Sequence, residues 1–218
     1  MSGHLVIFDC DGVLVDSEPI AARVISELLV EHGVPMDAAA CEAAFHGLTM
    51  AAVVDWVEDA HGVRLDALFL ERCHERTLEA MSDGLQPVDG IRAVLESLEA
   101  PRCVASNGEL AKMRHNLGLT GLLEFFDDAL FCAEQVARGK PHPDLFLHAA
   151  RAMGVAPEKA IVVEDSLPGV RGAVAAGMRV LGYAPDDRPG ATRWRAELHA
   201  AGANTFGHMS ALPALLRV

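Results

Sequence analysis

The chain has 218 residues, is 51% hydrophobic and 22% charged, and carries a formal net charge of −13, enough apolar material for one domain or one domain with an insertion. The acidic balance argues against non-specific binding to nucleic acid or an anionic membrane, both of which need a basic face, while an anionic substrate stays open because a local cation overrides the global field. No segment approaches the roughly 18 apolar residues of a membrane span, the start Met1-Ser2-Gly3-His4 lacks a cationic leader, and five scattered cysteines (Cys10, Cys41, Cys73, Cys103, Cys132) form no Cys-x-x-Cys, so a cytoplasmic protein with reduced core thiols and no zinc site is expected.

His4–Phe8 is a β-branched and aromatic run that reads as a buried strand. It stops at two carboxylates, Asp9 and Asp11. Unpaired carboxylates are costly to bury, so they belong at the strand's carboxyl end, where open α/β sheets bind ligands. Gly12 allows a tight turn directly afterwards. The β signal then vanishes for about eighty residues. Residues 19–32 place Ile20, Val24, Leu28 and Leu29 at helical spacing, and Gly33 and Pro35 end that helix. Further helices are expected over about 37–45, 49–60 and 66–81, with Thr49 as an N-cap. Asp83-Gly84 and Pro87-Val88-Asp89-Gly90 read as turns.

From residue 90 the pattern alternates. Helix Ile91–Leu98 precedes strand Arg102–Ala105; helix Leu110–Leu117, closed by Gly118, precedes strand Ala129–Cys132. Helix Pro143–Met153, closed by Gly154, precedes strand Ile161–Val163; helix Val170–Ala176, closed by Gly177, precedes strand Arg179–Tyr183. A helix near 190–200, a short strand Asn204–Phe206 and a helix over 210–217 finish the chain. The alternation predicts an α/β fold, a doubly wound parallel-sheet core of residues 1–16 and 87–218, interrupted by an all-helical insertion, 17–86.

Four polar clusters fall at strand ends or helix starts. In Asp9-x-Asp11-Gly-Val-x-x-Asp16, strand periodicity puts Asp9 and Asp11 on one face, where they repel unless a cation or proton intervenes. A hard divalent ion such as Mg²⁺ suits them, and so does a plain surface turn without any ion. Ser106-Asn107-Gly108 offers a hydroxyl and backbone N–H groups to a phosphate oxygen, or an ordinary helix cap. In Gly139-Lys140-Pro141-His142-Pro143-Asp144, the lysine is either a fixed point charge in a rigid loop or a solvated side chain, and His142 reads as loop surface. Glu164-Asp165-Ser166 ends a buried strand at the same opening as the first pair, as further metal ligands or as a cap for the next helix.

In this order the clusters resemble the haloacid dehalogenase superfamily phosphatases, in the β-phosphoglucomutase-like subgroup whose helical cap follows the first motif. The matching residues are Asp9-Cys-Asp11-Gly-Val-Leu-Val-Asp16-Ser-Glu, Ser106-Asn-Gly, Lys140-Pro-His-Pro-Asp144 and Glu164-Asp165-Ser-Leu-Pro-Gly169-Val-Arg171-Gly-Ala, and the likeness spans about residues 4–183. The resemblance implies a Rossmann-like core with 17–86 as the cap, and Mg²⁺-dependent hydrolysis of a small phosphorylated metabolite through an aspartyl phosphate. It assigns Asp9 as nucleophile, Asp11 as general acid and then base, and Ser106, Asn107 and Lys140 to the phosphoryl group. Mg²⁺ would be held by Asp9, Asp165 and the backbone carbonyl of Asp11, with Glu164 as a ligand or a partner behind it. His46, Gly47 and Thr49 are the preferred substrate-reading residues of the cap, beside Arg23, Arg72 and Arg76, whereas Trp56 and Phe69 read as cap core.

Dehalogenases of this family lack the acid that Asp11 provides. The only lysines are Lys112, Lys140 and Lys159, so the insertion has none for Schiff-base phosphonate chemistry. The same lack makes a sugar phosphomutase the alternative to a phosphatase; a catalytically silent phosphometabolite-binding protein is the second alternative. Cys103–His115 and His148–Met153 are similar to bacterial sugar-phosphate phosphatases acting on 6-phosphogluconate, implying a sugar phosphate or phosphosugar acid. The expected partner is a small-molecule phosphate ester, with no nucleic acid or membrane, for a monomer or weak homodimer.

Overall fold

The structure is a computed structural model that describes residues 4–217. Strand β1 (Leu5–Phe8) opens the fold and is followed by four helices, α1 (Glu18–Glu31), α2 (Ala38–Phe45), α3 (Met50–His61) and α4 (Phe69–Gly84). Then come α5 (Ile91–Ser97), β2 (Arg102–Ser106), α6 (Leu110–Leu119), β3 (Leu130–Cys132), α7 (Asp144–Ala152), β4 (Ala160–Glu164), α8 (Leu167–Ala175), β5 (Arg179–Tyr183), α9 (Ala191–Ala200), β6 (Asn204–Phe206) and α10 (Leu212–Leu215). Chain contacts separate two compact units: the chain up to Asp16 together with Gln86 onward, and Ser17–Leu85.

The first unit is an α/β fold. Its six strands form one parallel sheet in the order β3-β2-β1-β4-β5-β6. All four residues of β1 and all five of β4 are buried, as a parallel sheet covered on both faces requires. On one face Leu5, Ile7, Cys103, Ala105 and Val162 pack with Leu145, Phe146 and Ala149 of α7. On β1's other face Phe8 meets Phe126 edge-on, with ring centroids 6.1 Å apart. The second unit has its own core of Val24, Leu28, Leu29, Val53, Val57 and Phe69, and Phe45 and Trp56 meet edge-on at 5.1 Å. Trp56 and Phe69 are thus packing residues, as their helical positions imply. The five cysteines are buried free thiols. Among the described residues no helix is long and apolar enough to cross a membrane.

Two glycines do not act as the stops expected of them. Asp83-Gly84 is the last turn of α4 rather than a loop. A helical glycine costs about 1 kcal/mol, but burying Leu85 (5% exposed) one turn beyond Met81 is worth about 2 kcal/mol, so the helix runs on. Gly118 lies inside α6, which ends at Leu119. The left-handed residue there is Gly121 (φ +66°), which lets the Leu122 N–H donate to the Leu117 carbonyl at 2.8 Å and buries Leu122. Short 3₁₀ turns at Leu123–Phe125, Ala133–Gln135 and Pro157–Lys159 lie in the connections between helices and strands.

Candidate active site

From β1 the chain winds outward through β2 and β3 on one side, and β4, β5 and β6 extend the other. The order therefore reverses between β1 and β4, and the crevice at their carboxyl ends is where such sheets bind ligands. Phe8 pairs with Val163, and the Asp9 N–H donates to the Val163 carbonyl at 2.9 Å. Asp9 thus stands beside Glu164 and Asp165 at the ends of two adjacent strands.

Lys140 joins these strand ends. Its Nζ donates to Asp9 Oδ1 at 2.6 Å and to Glu164 Oε1 at 2.5 Å, and lies 5.2 Å from the centroid of the Phe146 ring. Asp9, Lys140, Glu164 and Asp165 are all at least nine-tenths buried. Glu164 uses its other oxygen, Oε2, to accept from the Ser166 N–H (2.8 Å) and hydroxyl (2.9 Å). The Ser166 hydroxyl also accepts the Gly169 N–H and so caps α8.

Each charge is held by close-packed backbone. A side chain at Gly169 would overlap the Glu164 carboxylate, and one at Gly12 (φ +76°) would overlap that of Asp165. Asn107 grips the lysine's own main chain: its Oδ1 accepts the Lys140 N–H at 2.8 Å, and its Nδ2 donates to the Lys140 carbonyl at 3.0 Å. A Cβ at Gly139 would press on that amide. The Asp165 carbonyl accepts the indole N–H of Trp194 at 2.6 Å. Ser106 is buried, and its hydroxyl accepts the Gly108 N–H at 3.1 Å, which leaves its own proton to donate.

Electrostatically the cluster is short of positive charge. Three carboxylates, from Asp9, Glu164 and Asp165, have oxygens within 4.8 Å of one another, and one ammonium lies among them. Burial pushes the Asp9 carboxyl up to about 7 against the opposing pull of Lys140, with Glu164 adding to the rise. Burial alone would lower Lys140, but Asp9 and Glu164 outweigh it and hold the ammonium protonated. An all-oxygen, anionic, buried donor set suits a hard divalent cation. Asp11, one residue beyond Cys10, is less enclosed, and its Oδ2 lies 3.3 Å from Lys112 Nζ.

A family model for haloacid dehalogenase-like hydrolases matches residues 4–177. The chain belongs to this hydrolase family. The hydrolase is 36% identical over 211 residues to 6-phosphogluconate phosphatase of Escherichia coli, covering 96% of this chain and 93% of that protein. It is 32% identical over 190 residues to hexitol phosphatase A of the same organism, covering 84% of each. A haloacid dehalogenase-like protein of unknown function from Agrobacterium tumefaciens superposes with a TM-score of 0.92 at 37% identity, covering 99% of this chain and 98% of that one.

In the helical unit of the hydrolase, most of the residues picked from sequence contact neighbours within that unit. Arg23 pairs with Glu27 at 3.2 Å, Arg76 with Glu31 at 2.6 Å and Arg72 with Asp66 at 2.6 Å. The Thr49 hydroxyl accepts the Ala52 N–H and caps α3. His46 lies 3.5 Å from Glu18, and Gly47 takes a left-handed turn (φ +72°) between His46 and Leu48. In the core, Asn107 directs its amide to the main chain of Lys140 rather than outward. Sequence reasoning did not find Lys112 beside Asp11, since 101 residues separate them, nor Trp194 behind Asp165, 29 residues away. It also missed the packing roles of Gly139 and Gly169, although a glycine beside Lys140 and another three residues after Ser166 were available signals.

Proposed function

We propose that this hydrolase is a Mg²⁺-dependent phosphatase for a small phosphorylated sugar or sugar acid, working through an aspartyl phosphate on Asp9. The observation that carries this reading is the sharing of one buried ammonium, Lys140, between Asp9 and Glu164, with Asp165 alongside. Phosphoryl transfer depends on positioning and charge neutralisation, and an anionic nucleophile reaches an anionic phosphate only with fixed positive charge around both. An Asp9 oxygen bonds to phosphorus as the bond to the leaving oxygen breaks, and protonated Asp11 gives its proton to that oxygen. Asp11, now a carboxylate, takes a proton from water as the water oxygen bonds to phosphorus and the Asp9–phosphorus bond breaks, releasing inorganic phosphate. The Ser106 hydroxyl and Lys140 ammonium hold the phosphoryl oxygens, and Asn107 fixes Lys140.

Asp9, Asp165 and the Asp11 backbone carbonyl would hold Mg²⁺, and Glu164, with both oxygens engaged, anchors Lys140 instead. When bound, the ion supplies the positive charge that the donor set and the phosphoryl oxygens require. Ser17–Leu85 serves as the cap that excludes water during transfer. A sugar substrate is supported by the names of the two E. coli relatives. Hydrolysis is preferred to mutase transfer because the helical unit contains no lysine to hold a second phosphorylated position.

The test is phosphate release from a panel of hexose phosphates, hexitol phosphates and phosphosugar acids. The expected result is turnover that needs Mg²⁺, is abolished by EDTA and is lost in Asp9→Asn. Full activity in EDTA, or in Asp9→Asn, overturns the reading.

A further inference from the structure

We propose that Lys112 is a positioning residue for Asp11, holding its carboxylate toward the leaving oxygen. The inference rests on the phosphatase reading above. The stretch that ends β2 with Ser106 turns through Gly108 and enters α6, whose first turn carries Lys112. That short path borders Asp11 twice. A Cβ at Gly108 would lie 3.9 Å from Asp11 Oδ2 and 3.5 Å from the Ser106 hydroxyl, and Lys112 Nζ lies 3.3 Å from the same Oδ2. Asp11 Oδ1 is buried with no hydrogen-bond partner. Lys112 is therefore the side chain that fixes this carboxylate, which is 28% exposed and otherwise able to rotate toward water.

The two lysines at these strand ends divide the work. Lys140 is buried and shared by Asp9, the nucleophile of the phosphatase reading, and Glu164. Lys112 is 29% exposed and faces Asp11, the residue that the phosphatase reading makes the proton donor to the departing alcohol. When Asp11 gives its proton to the leaving oxygen, it becomes a carboxylate beside an ammonium that is already in place. The pair then keeps that carboxylate aimed at the same point for the proton it takes from water. Protonation matters most for a leaving alkoxide of a sugar, which is strongly basic, and least for a nitrophenolate, which departs without help.

This asymmetry gives the test. The Mg²⁺-loaded wild type, Lys112→Met and Lys112→Arg are compared on a hexose 6-phosphate and on p-nitrophenyl phosphate, using kcat/KM, which reports the first transfer. Lys112→Met is expected to lower kcat/KM for the hexose phosphate about 20-fold, through kcat, and for p-nitrophenyl phosphate by less than about threefold. Lys112→Arg, which keeps the charge, is expected to recover most of the loss. In the Asp11→Asn background, Lys112→Met adds nothing. In crystals of the metal-free proteins, the Asp11 side chain should leave its place in Lys112→Met and keep it in Lys112→Arg. An equal fall for both esters, or no fall for either, overturns the role of Lys112 while the phosphatase reading stands. A wild type that releases phosphate from neither ester nor from any hexitol phosphate or phosphosugar acid overturns the phosphatase reading itself, and the inference with it.

Discussion

The two units of this hydrolase handle charge in opposite ways. In the helical unit, Arg23, Arg72 and Arg76 pair with carboxylates of Glu27, Asp66 and Glu31 that are themselves well exposed to water. In the core unit, one buried ammonium serves two buried carboxylates, and backbone is packed so closely that a methyl group at Gly169 would collide with Glu164 and one at Gly12 with the neighbouring Asp165. Exposed pairs are screened by water and contribute little, whereas a buried charge that loses its partner is stranded at high cost. Charge at the helical surface is therefore replaceable, and charge at the strand ends is bound up with folding as well as chemistry.

The sharpest break of this contrast is Lys140→Met. It strands Asp9 and Glu164 together, and we expect a loss of about 3–5 kcal/mol in urea unfolding along with all turnover. Gly169→Ala comes next. The added methyl has no room beside Glu164, so stability should fall by about 2–3 kcal/mol, and activity should fall further than stability because Lys140 is displaced with its anchor. A loss of activity no larger than that of a remote core variant of equal stability would show that Glu164 does not hold Lys140 for catalysis.

A third effect concerns the metal. The metal-free Asp9 carboxyl, raised to about 7, keeps a proton through the range where an ordinary aspartate has lost it. A cation entering there must displace that proton. Apparent Mg²⁺ affinity measured by calorimetry should therefore fall below pH about 7, approaching tenfold per pH unit, and level off above about 8. An affinity flat from pH about 5.5 to 8.5 would remove Asp9 from the ligand set. The smallest effect is Arg76→Ala. The Arg76 hydrogen bond lowers the Glu31 carboxyl, so that pair contributes above the ordinary glutamate pKa and ceases to as pH falls through the lowered one. Removing Arg76 should raise Glu31 in an NMR titration while leaving the urea midpoint where it was.

The same contrast governs how much could be read in advance. Every cluster named at a strand end does stand at the crevice between β1 and β4 or on the loops beside it, because an apolar run that stops at Asp9 or at Glu164 leaves its carboxylates nowhere else to go. The strand alternation likewise contained the sheet. What escaped were relations between side chains far apart in the chain. Nothing about Lys112 marks it as the partner of Asp11, and Asn107, which reads as a phosphate donor or part of a helix cap, binds the main chain of Lys140, 33 residues away. Of the acids that pair with the arginines of the helical unit, Glu27 follows from helical spacing, whereas Asp66 in the loop before α4 and Glu31 across on α1 do not. Glycine was read too simply: Gly84 and Gly118 have helical backbone, and only a glycine forced to positive φ, such as Gly121, ends its helix.

The hydrogen bond from Trp194 to the main chain of Asp165 has an optical consequence. The chain contains two tryptophans, and each unit holds one: Trp194 behind the end of β4, and Trp56 against Phe45 among the helices. The emission of the Trp56→Phe protein comes from Trp194 alone, whose indole is tethered to Asp165 in the buried carboxylate cluster. Addition of Mg²⁺ or inorganic phosphate is then read from the core alone. The Trp194→Phe protein reads the helices in the same way, so the two regions come with separate intrinsic reporters and need no attached dye.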